Sequence, residues 1–287
     1  MSTLTGAQVA AVMGIPFTSE QLAAITAPPD RAVQIVAGAG SGKTAVMAAR
    51  VVWLVGSGHV RPDEVLGLTF TNKAAGELAG RVRSALDRLA GHTGDTSDDD
   101  VEPTVSTYHA YAGALVREHG LRIGVEPDAR LLVDAVRFQL AGSVIRRYDG
   151  PLPNLHNAVS VTVAALVALE SECSDHLVDP ADVRPWLLDL VGRVEEIADA
   201  AAQLPKSKMR VDHLRGAAET ARRNADLCLL VAAYRAAKRD RGAVDFGDQI
   251  GLAQRIATEC PEVARSERTR FRAVLLDEYQ DTSVAQR

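Results

Sequence analysis

The sequence predicts an α/β protein: a parallel sheet with crossover helices, interrupted by an all-helical subdomain. Three observations carry this. Short apolar runs alternate with helical patterns through roughly the first hundred residues. Every convincing stretch from about Ala110 to Asp240 then has helical periodicity, and an apolar run returns at residues 271–277.

The elements follow in order. Residues 31–36 (RAVQIV) read as a strand, followed by a Gly-rich turn and a helix over about 43–55. Residues 64–70 (EVLGLTF) read as a second buried strand, with a helix over about 73–89 after it. Residues 91–103 break the pattern with Gly, Thr, Ser and the acidic run Asp98, Asp99 and Asp100, which reads as a solvated surface loop. A short strand over 104–106 comes next. The helical stretch contains predicted helices over 131–145, 158–170, 191–203 and 214–239, separated by Pro, Gly and Asn. The spacing predicts three segments: residues 1–110 as the first part of the α/β domain, 111–240 as the helical insertion and 241–287 as the return.

Composition narrows the class. A chain of 287 residues with 47% hydrophobic and 24% charged residues is globular rather than disordered. Aromatics make up only 4%, so Ala, Val and Leu must fill the core. No apolar run reaches the roughly 18 residues that a membrane crossing needs, and the N-terminus lacks the basic flank and apolar stretch of a signal peptide. The 3 cysteines (Cys173, Cys228 and Cys260) form no CxxC pair, so neither a disulfide framework nor a zinc site is expected. A net charge of −5 removes any argument for nucleic-acid binding from bulk charge. The expectation is a soluble, cytoplasmic protein without a membrane partner.

The sharpest signal is AGAGSGKT at 37–44, between a predicted strand and a predicted helix. Gly38, Gly40 and Gly42 let the backbone curl around phosphate oxygens, with Ala39 and Ser41 adding N–H groups, and the helix N-terminus favours the anion. Lys43 reaches the β- and γ-phosphates, and the Thr44 hydroxyl suits Mg²⁺. The strict pattern begins with Gly, where this chain has Ala37. The second half of the site is LLDEYQDTS at 275–283, just past the returning strand. Asp277 is placed to hold Mg²⁺, and Glu278 to polarise an attacking water. Together the two halves specify Mg·ATP.

With these residues in hand, the chain resembles superfamily 1A DNA helicases of the UvrD/Rep/PcrA type over essentially its whole length. FTSEQ at 17–21 is similar to the Q motif, 37–44 to motif I, LTFTNKAA at 68–75 to motif Ia and TYHAY at 107–111 to motif Ib. VDFGD at 244–248 resembles the element that leads back from the helical insertion, and DEYQDT at 277–282 resembles motif II. Motifs in this order fit poorly with an unrelated P-loop phosphotransferase.

The resemblance implies a RecA-like domain 1A interrupted by a helical domain 1B. It implies that Gln21 reads the adenine edge, that Phe70 stacks on a base of single-stranded DNA, and that Thr71, Asn72, Lys73 and His109 contact the sugar–phosphate backbone. Taken alone, Phe70 equally fits a core aromatic at a strand end, His109 fits a hydrogen-bonded loop histidine, and Tyr108 stands open between base contact and packing. Many relatives carry Arg after the motif I Thr, packed on the adenine; here that place is Ala45. The stretch from Lys206 to Arg241 is rich in cations (Lys206, Lys208, Arg210, Arg215, Arg222, Arg223, Arg235, Lys238, Arg239 and Arg241) and reads either as a phosphate-gripping face or as a solvated helix face. Motifs III to VI of the family are absent, so the chain reads as the 1A–1B portion of a longer enzyme that also has domains 2A and 2B. The expected activity is that of an ATP-dependent helicase and ATPase of DNA repair or replication restart, usually moving 3′→5′ and engaging single-stranded DNA and junctions. The expected turnover of this portion alone is weak. The competing expectation is a nucleotide-gated DNA-binding or partner-docking module without motor activity.

Overall fold

The computed structural model describes residues 3–38, 40–93, 101–155, 158–205 and 208–287. Ala39, the acidic run Asp98 to Asp100 and Lys206, all singled out in the sequence, lie outside the described residues. The chain divides into two compact units, Met1–Ala114 with Ala257–Thr282, and Leu115–Ile256 with Ser283–Arg287.

The first unit opens with two short helices, α1 (Gly6–Met13) and α2 (Ser19–Ile25). Each starts in a reciprocal capping box, Thr5 with Gln8 and Thr18 with Gln21, which satisfies backbone N–H groups that a helix start leaves bare. Next come α3 (Lys43–Gly56), β1 (Val65–Thr69), α4 (Asn72–Thr93), β2 (Thr104–Thr107) and α5 (Tyr108–His119). The sheet is parallel throughout, in the order β2-β1-β5, where β5 is Ala273–Leu276. Strand β1 is central and every residue in it is buried, which is why the sequence there is an unbroken apolar run rather than an alternating one. Helix α4 turns Ala75, Leu78, Val82, Ala85 and Leu89 inward at alternating spacings of three and four. It packs so closely that a Cβ at Gly67 of β1 would meet Leu78 at 3.3 Å. Helix α3 buries residues around most of its circumference, from Val46 to Leu54, and forms the centre of this core.

Residues 31–36 depart from the expected strand. They carry no ladder hydrogen bond to any described residue, and Val33, Ile35 and Val36 are exposed. The reason is pairing rather than propensity: a β-rich segment becomes a strand only when hydrogen-bonded to another, and none of the described residues pairs with it. Strand β5 is correspondingly half open, with Ala273 and Leu275 packed on the core while Val274 and Leu276 face out.

The second unit is built from β3 (Arg130–Leu131), α6 (Asp134–Arg147), α7 (Val159–Asp175), α8 (Pro180–Ala202), α9 (Lys208–Arg239), β4 (Ala243–Val244) and most of α10 (Phe246–Glu259). It is helical apart from a two-residue parallel ladder between β3 and β4. The returning chain then forms α11 (Pro261–Arg270) before β5. Helices α8 and α9 lock together through Leu187 and Val191 against Ala218, Ala221, Ala225 and Cys228, whose small size lets the backbones approach. Leu166, Leu230, Val231 and Tyr234 anchor the α6, α7 and α9 core.

Candidate functional site

The Gly-rich turn leads into α3 through Gly40 (φ 77°) and Gly42 (φ 84°), left-handed positions that glycine adopts without steric cost. Gly42 is also the N-cap of α3, so the turn hands its N–H groups directly to a helix N-terminus. Ser41 Oγ donates to the Gly38 carbonyl at 2.8 Å. Lys43 Nζ donates to the carbonyls of Ala37 (3.1 Å) and Gly38 (3.3 Å), which holds the ammonium inside the curl of the turn. Gln21 serves two purposes: its Oε1 accepts from the Thr18 N–H at 2.8 Å, and its Nε2 donates to the Ser41 carbonyl at 3.1 Å. The Q-motif glutamine therefore ties α2 to the phosphate turn. Thr44 is half-buried in the first turn of α3.

Asp277 lies in the same unit, just past β5. Its N–H donates to the Leu68 carbonyl at 2.9 Å, continuing the β5–β1 ladder by one rung. Burial and the neighbouring Glu278 carboxylate push its carboxyl above the ordinary aspartate range, while the Glu278 N–H and the Lys43 ammonium pull the other way. Glu278 itself has φ 50° and ψ 40°, a left-handed conformation that is costly for a residue with a Cβ. Gln280 Nε2 holds the Glu278 carboxylate at 2.5 Å. A carboxylate from Asp277 and a hydroxyl from Thr44 form an all-oxygen donor pair, the chemistry that suits a hard divalent cation such as Mg²⁺.

The other predicted residues sit where β1 and β2 end. Phe70 is half-buried, its ring centroid 5.1 Å from that of Tyr108. Tyr108 is only 5% exposed, so in this structure it packs. Thr71, Asn72 and Lys73 are exposed. The Thr71 hydroxyl accepts from the Ala74 N–H and so caps α4, while Lys73 makes a loose 3.9 Å ion pair with Glu77. His109 is half-buried in the first turn of α5.

The basic stretch needs correction. Lys238, read as part of a surface face, is 2% exposed, with Nζ 3.0 Å from Glu170, 2.9 Å from Asp245 and 2.8 Å from Asp248. Arg235 leans on Glu170 and Ser174 in the same cluster, and Arg222 is paired with Glu195. Arg215 lies 3.7 Å from Asp199. Burial opposes charge on Lys238, but the three carboxylates outweigh it and raise its pKa. Glu170, Asp245 and Asp248 have the spacing of a metal-binding trio, yet the ammonium already occupies their centre. The sequence reading assigned none of this. The available signal was the D-x-x-D at 245–248: each aspartate carboxylate accepts the other's backbone N–H, capping α10, which ties both down.

Comparison with known proteins places the chain in a family. The model of the UvrD/REP helicase N-terminal domain matches residues 17–287. The chain is 31% identical to the ATP-dependent DNA helicase UvrD1 of Mycobacterium leprae, over 88% of this chain and 27% of that protein. It is 26% identical to the ATP-dependent DNA helicase PcrA of Bacillus subtilis, covering 90% of this chain and 28% of that one. A probable DNA helicase II homolog of Mycoplasma capricolum is also 26% identical, over 94% of this chain and 31% of the relative. The chain thus spans less than a third of the length of these relatives. It belongs to the UvrD/REP helicase family, in the region of that family's N-terminal domain.

Proposed function

We propose that this chain is the nucleotide- and strand-binding part of an ATP-dependent translocase on single-stranded DNA. The observation that carries the reading is the Gly-rich turn that caps α3 at Gly42 and holds the Lys43 ammonium against its own carbonyls, in the same unit as the strand ends that bear Asp277, Phe70 and Lys73. In this reading the N–H groups of the turn at 38–44 and the α3 N-terminus bind the phosphates, with Lys43 exchanging its two loop carbonyls for phosphate oxygens. A bound Mg²⁺ would neutralise charge on those oxygens, with Thr44 and Asp277 holding it. Glu278, fixed by Gln280 and its left-handed backbone, orients and deprotonates the attacking water. Gln21 presents its remaining N–H and lone pair to the base.

Phe70 stacks on a DNA base while Thr71, Asn72, Lys73 and His109 follow the backbone, a grip without sequence preference. The UvrD1 relative is more than three times as long, and the family resemblance implies that the further length holds a second nucleotide-facing domain whose arginines stabilise the developing charge, worth on the order of 10³–10⁵ in rate. Turnover by this chain alone is accordingly slow. Unwinding at single-strand/duplex junctions, 3′→5′ movement and a role in repair or replication restart belong to the full-length protein.

The test is calorimetric titration of the purified chain with Mg·ATP. Saturable binding is expected for the wild type and for Glu278→Gln, with at least about tenfold weaker binding for Lys43→Ala, the loss of one charge-assisted contact. A chain that circular dichroism shows to be folded, and that binds no nucleotide, would put the strand-binding or docking module in its place.

A further inference from the structure

Helix α2, which carries Gln21, has 7 residues, below the roughly 12–15 at which a helix begins to stand by itself in water. Its direction must therefore come from whatever holds its two ends. At the N-terminal end Gln21 Nε2 donates to the Ser41 carbonyl at 3.1 Å, and a Cβ at Gly42 would lie 3.7 Å from that nitrogen. At the C-terminal end the sequence creates a deficit. Pro28 and Pro29 stand three and four residues after Ile25, so no N–H at either place can reach back to the Ile25 carbonyl. Ile25 is 0% exposed, which keeps bulk water from that carbonyl, and the last turn of α2 has no basic residue.

Arg50 fills the deficit from α3. Its Nη1 donates to the Ile25 carbonyl at 2.8 Å and also to the Ala27 carbonyl, and its Nη2 donates to the Pro28 carbonyl at 3.3 Å. The guanidinium carbon lies 4.8 Å from the centre of the Trp53 ring, which covers the fork. Burial lowers the pKa of Arg50 and no carboxylate raises it, so the fork is committed to backbone carbonyls rather than to an ion pair. Gln21 and Ile25 are four residues apart and share a face of α2. Both ties thus run from one face of a short helix to the segment that forms the phosphate turn and α3. Gln21 keeps one N–H and one Oε1 lone pair, a pattern that matches the N6 amino group and N7 of adenine. Guanine presents two acceptors, O6 and N7, on the same edge and mismatches it.

We propose that Arg50 is a positioning residue of the nucleotide site: by holding the C-terminal end of α2 to α3 it fixes the amide of Gln21 where it discriminates adenine from guanine. This rests on the nucleotide reading given above. Arg50 touches neither base nor phosphate in this assignment and acts through α2.

The experiment measures binding of ATP, GTP and inorganic triphosphate, each with Mg²⁺, to the 287-residue chain and to Arg50→Met and Arg50→Lys, with circular dichroism to show that each is folded. Wild type is expected to favour ATP over GTP by about fivefold to a hundredfold, the worth of one two-point base contact. Arg50→Met should cut that preference to about twofold or less while triphosphate affinity stays within about twofold of wild type. Arg50→Lys should also lose most of the preference, because an ammonium keeps the charge but not the planar fork that spans three carbonyls; it decides the matter if Arg50→Met does not fold. A folded variant that keeps the wild-type preference would overturn the proposal. Equal weakening of ATP, GTP and triphosphate would overturn it too, as general damage to α3. If wild type binds ATP and GTP alike, the assignment alone falls; if wild type binds no nucleotide, the underlying reading falls and the assignment with it.

Discussion

Glu278 is where local strain and proposed chemistry meet. Its φ of 50° costs a residue with a Cβ about 1–2 kcal/mol, whereas glycine adopts it freely. Glycine gives back about 0.4–1 kcal/mol through the greater freedom of the unfolded chain. Glu278→Gly is therefore expected to be more stable than Glu278→Ala by about 0.5–1 kcal/mol, read as a higher urea midpoint, while both abolish hydrolysis in the full-length enzyme. Equal midpoints would mean that the backbone relaxes once the Glu278–Gln280 contact is gone. The place of Glu278 just past a strand was legible in the sequence because two adjacent carboxylates followed an apolar run. Its backbone conformation was not, since nothing in D-E-Y-Q demands a positive φ. Gln21 follows the same rule: the motif marked the residue, but only the structure assigns its amide to both Thr18 and Ser41.

Among the elements, periodicity located β1, β2, β5, α3 and α4 to within a few residues, because each buries a face whose pattern is local. Three elements were misread for non-local reasons. Residues 31–36 have strand composition but pair with no other strand among the described residues. Helix α8 begins at Pro180, well before the predicted 191, because Pro180 occupies the first helical position, where the missing N–H costs nothing, and the helix then tolerates Pro185. The C-terminal end of α9 looked like a basic surface because its partners lie far away in sequence, at Glu170 on α7 and at Asp245 and Asp248.

That buried cluster gives a pH prediction. Around Lys238 stand Glu170, Asp245, Asp248, Arg137, Arg235 and Tyr234. Burial resists ionisation of Asp245, but Lys238 and Arg137 offset it and hold its carboxyl below the ordinary range, so Asp245 contributes stability that is lost as pH falls through that lowered value. Burial raises Asp248 despite Lys238, so its ionised form favours unfolding as pH rises. The raised pKa of Lys238 keeps its contribution intact below the ordinary lysine range of about 10.4. Lys238→Met removes the common counter-ion, leaving Glu170 and Asp245 to the looser pairs with Arg137 and Arg235, and Asp248 without its ammonium partner. The expected loss is about 3–5 kcal/mol near neutral pH, shrinking toward pH 5 as the carboxyls take up protons. Urea unfolding at the two pH values measures it, and a loss that does not vary with pH would assign the effect to packing rather than charge.

On the scale of the whole molecule, the net charge of −5 sets how this chain meets a polyanion. Strand binding must come from a few local cations and from stacking, against a repulsive background. Of the ten cations on the basic stretch, the burial of Lys238 and the pairing of Arg215, Arg222 and Arg235 leave a much thinner face than the sequence suggested. In the other unit, Lys73 extends its side chain into solvent at 87% exposure beside Phe70. These two residues make separable contributions. A lysine that neutralises one phosphate of a single strand displaces counterions, so its removal lowers the slope of log affinity against log salt by about 0.7. Stacking displaces none, and is worth roughly 1–3 kcal/mol per base. Titrating a fluorescent oligothymidylate at several salt concentrations should therefore separate the variants. Lys73→Ala should flatten the salt dependence with a modest loss of affinity at low salt. Phe70→Ala should weaken binding at every salt concentration and leave the slope as it was. If neither variant changes binding, the strand-end surface does not carry the DNA, and the thinner cationic face on α9 must do so. If Phe70→Ala flattens the slope as well, the half-buried ring is holding the surface in shape rather than stacking on a base.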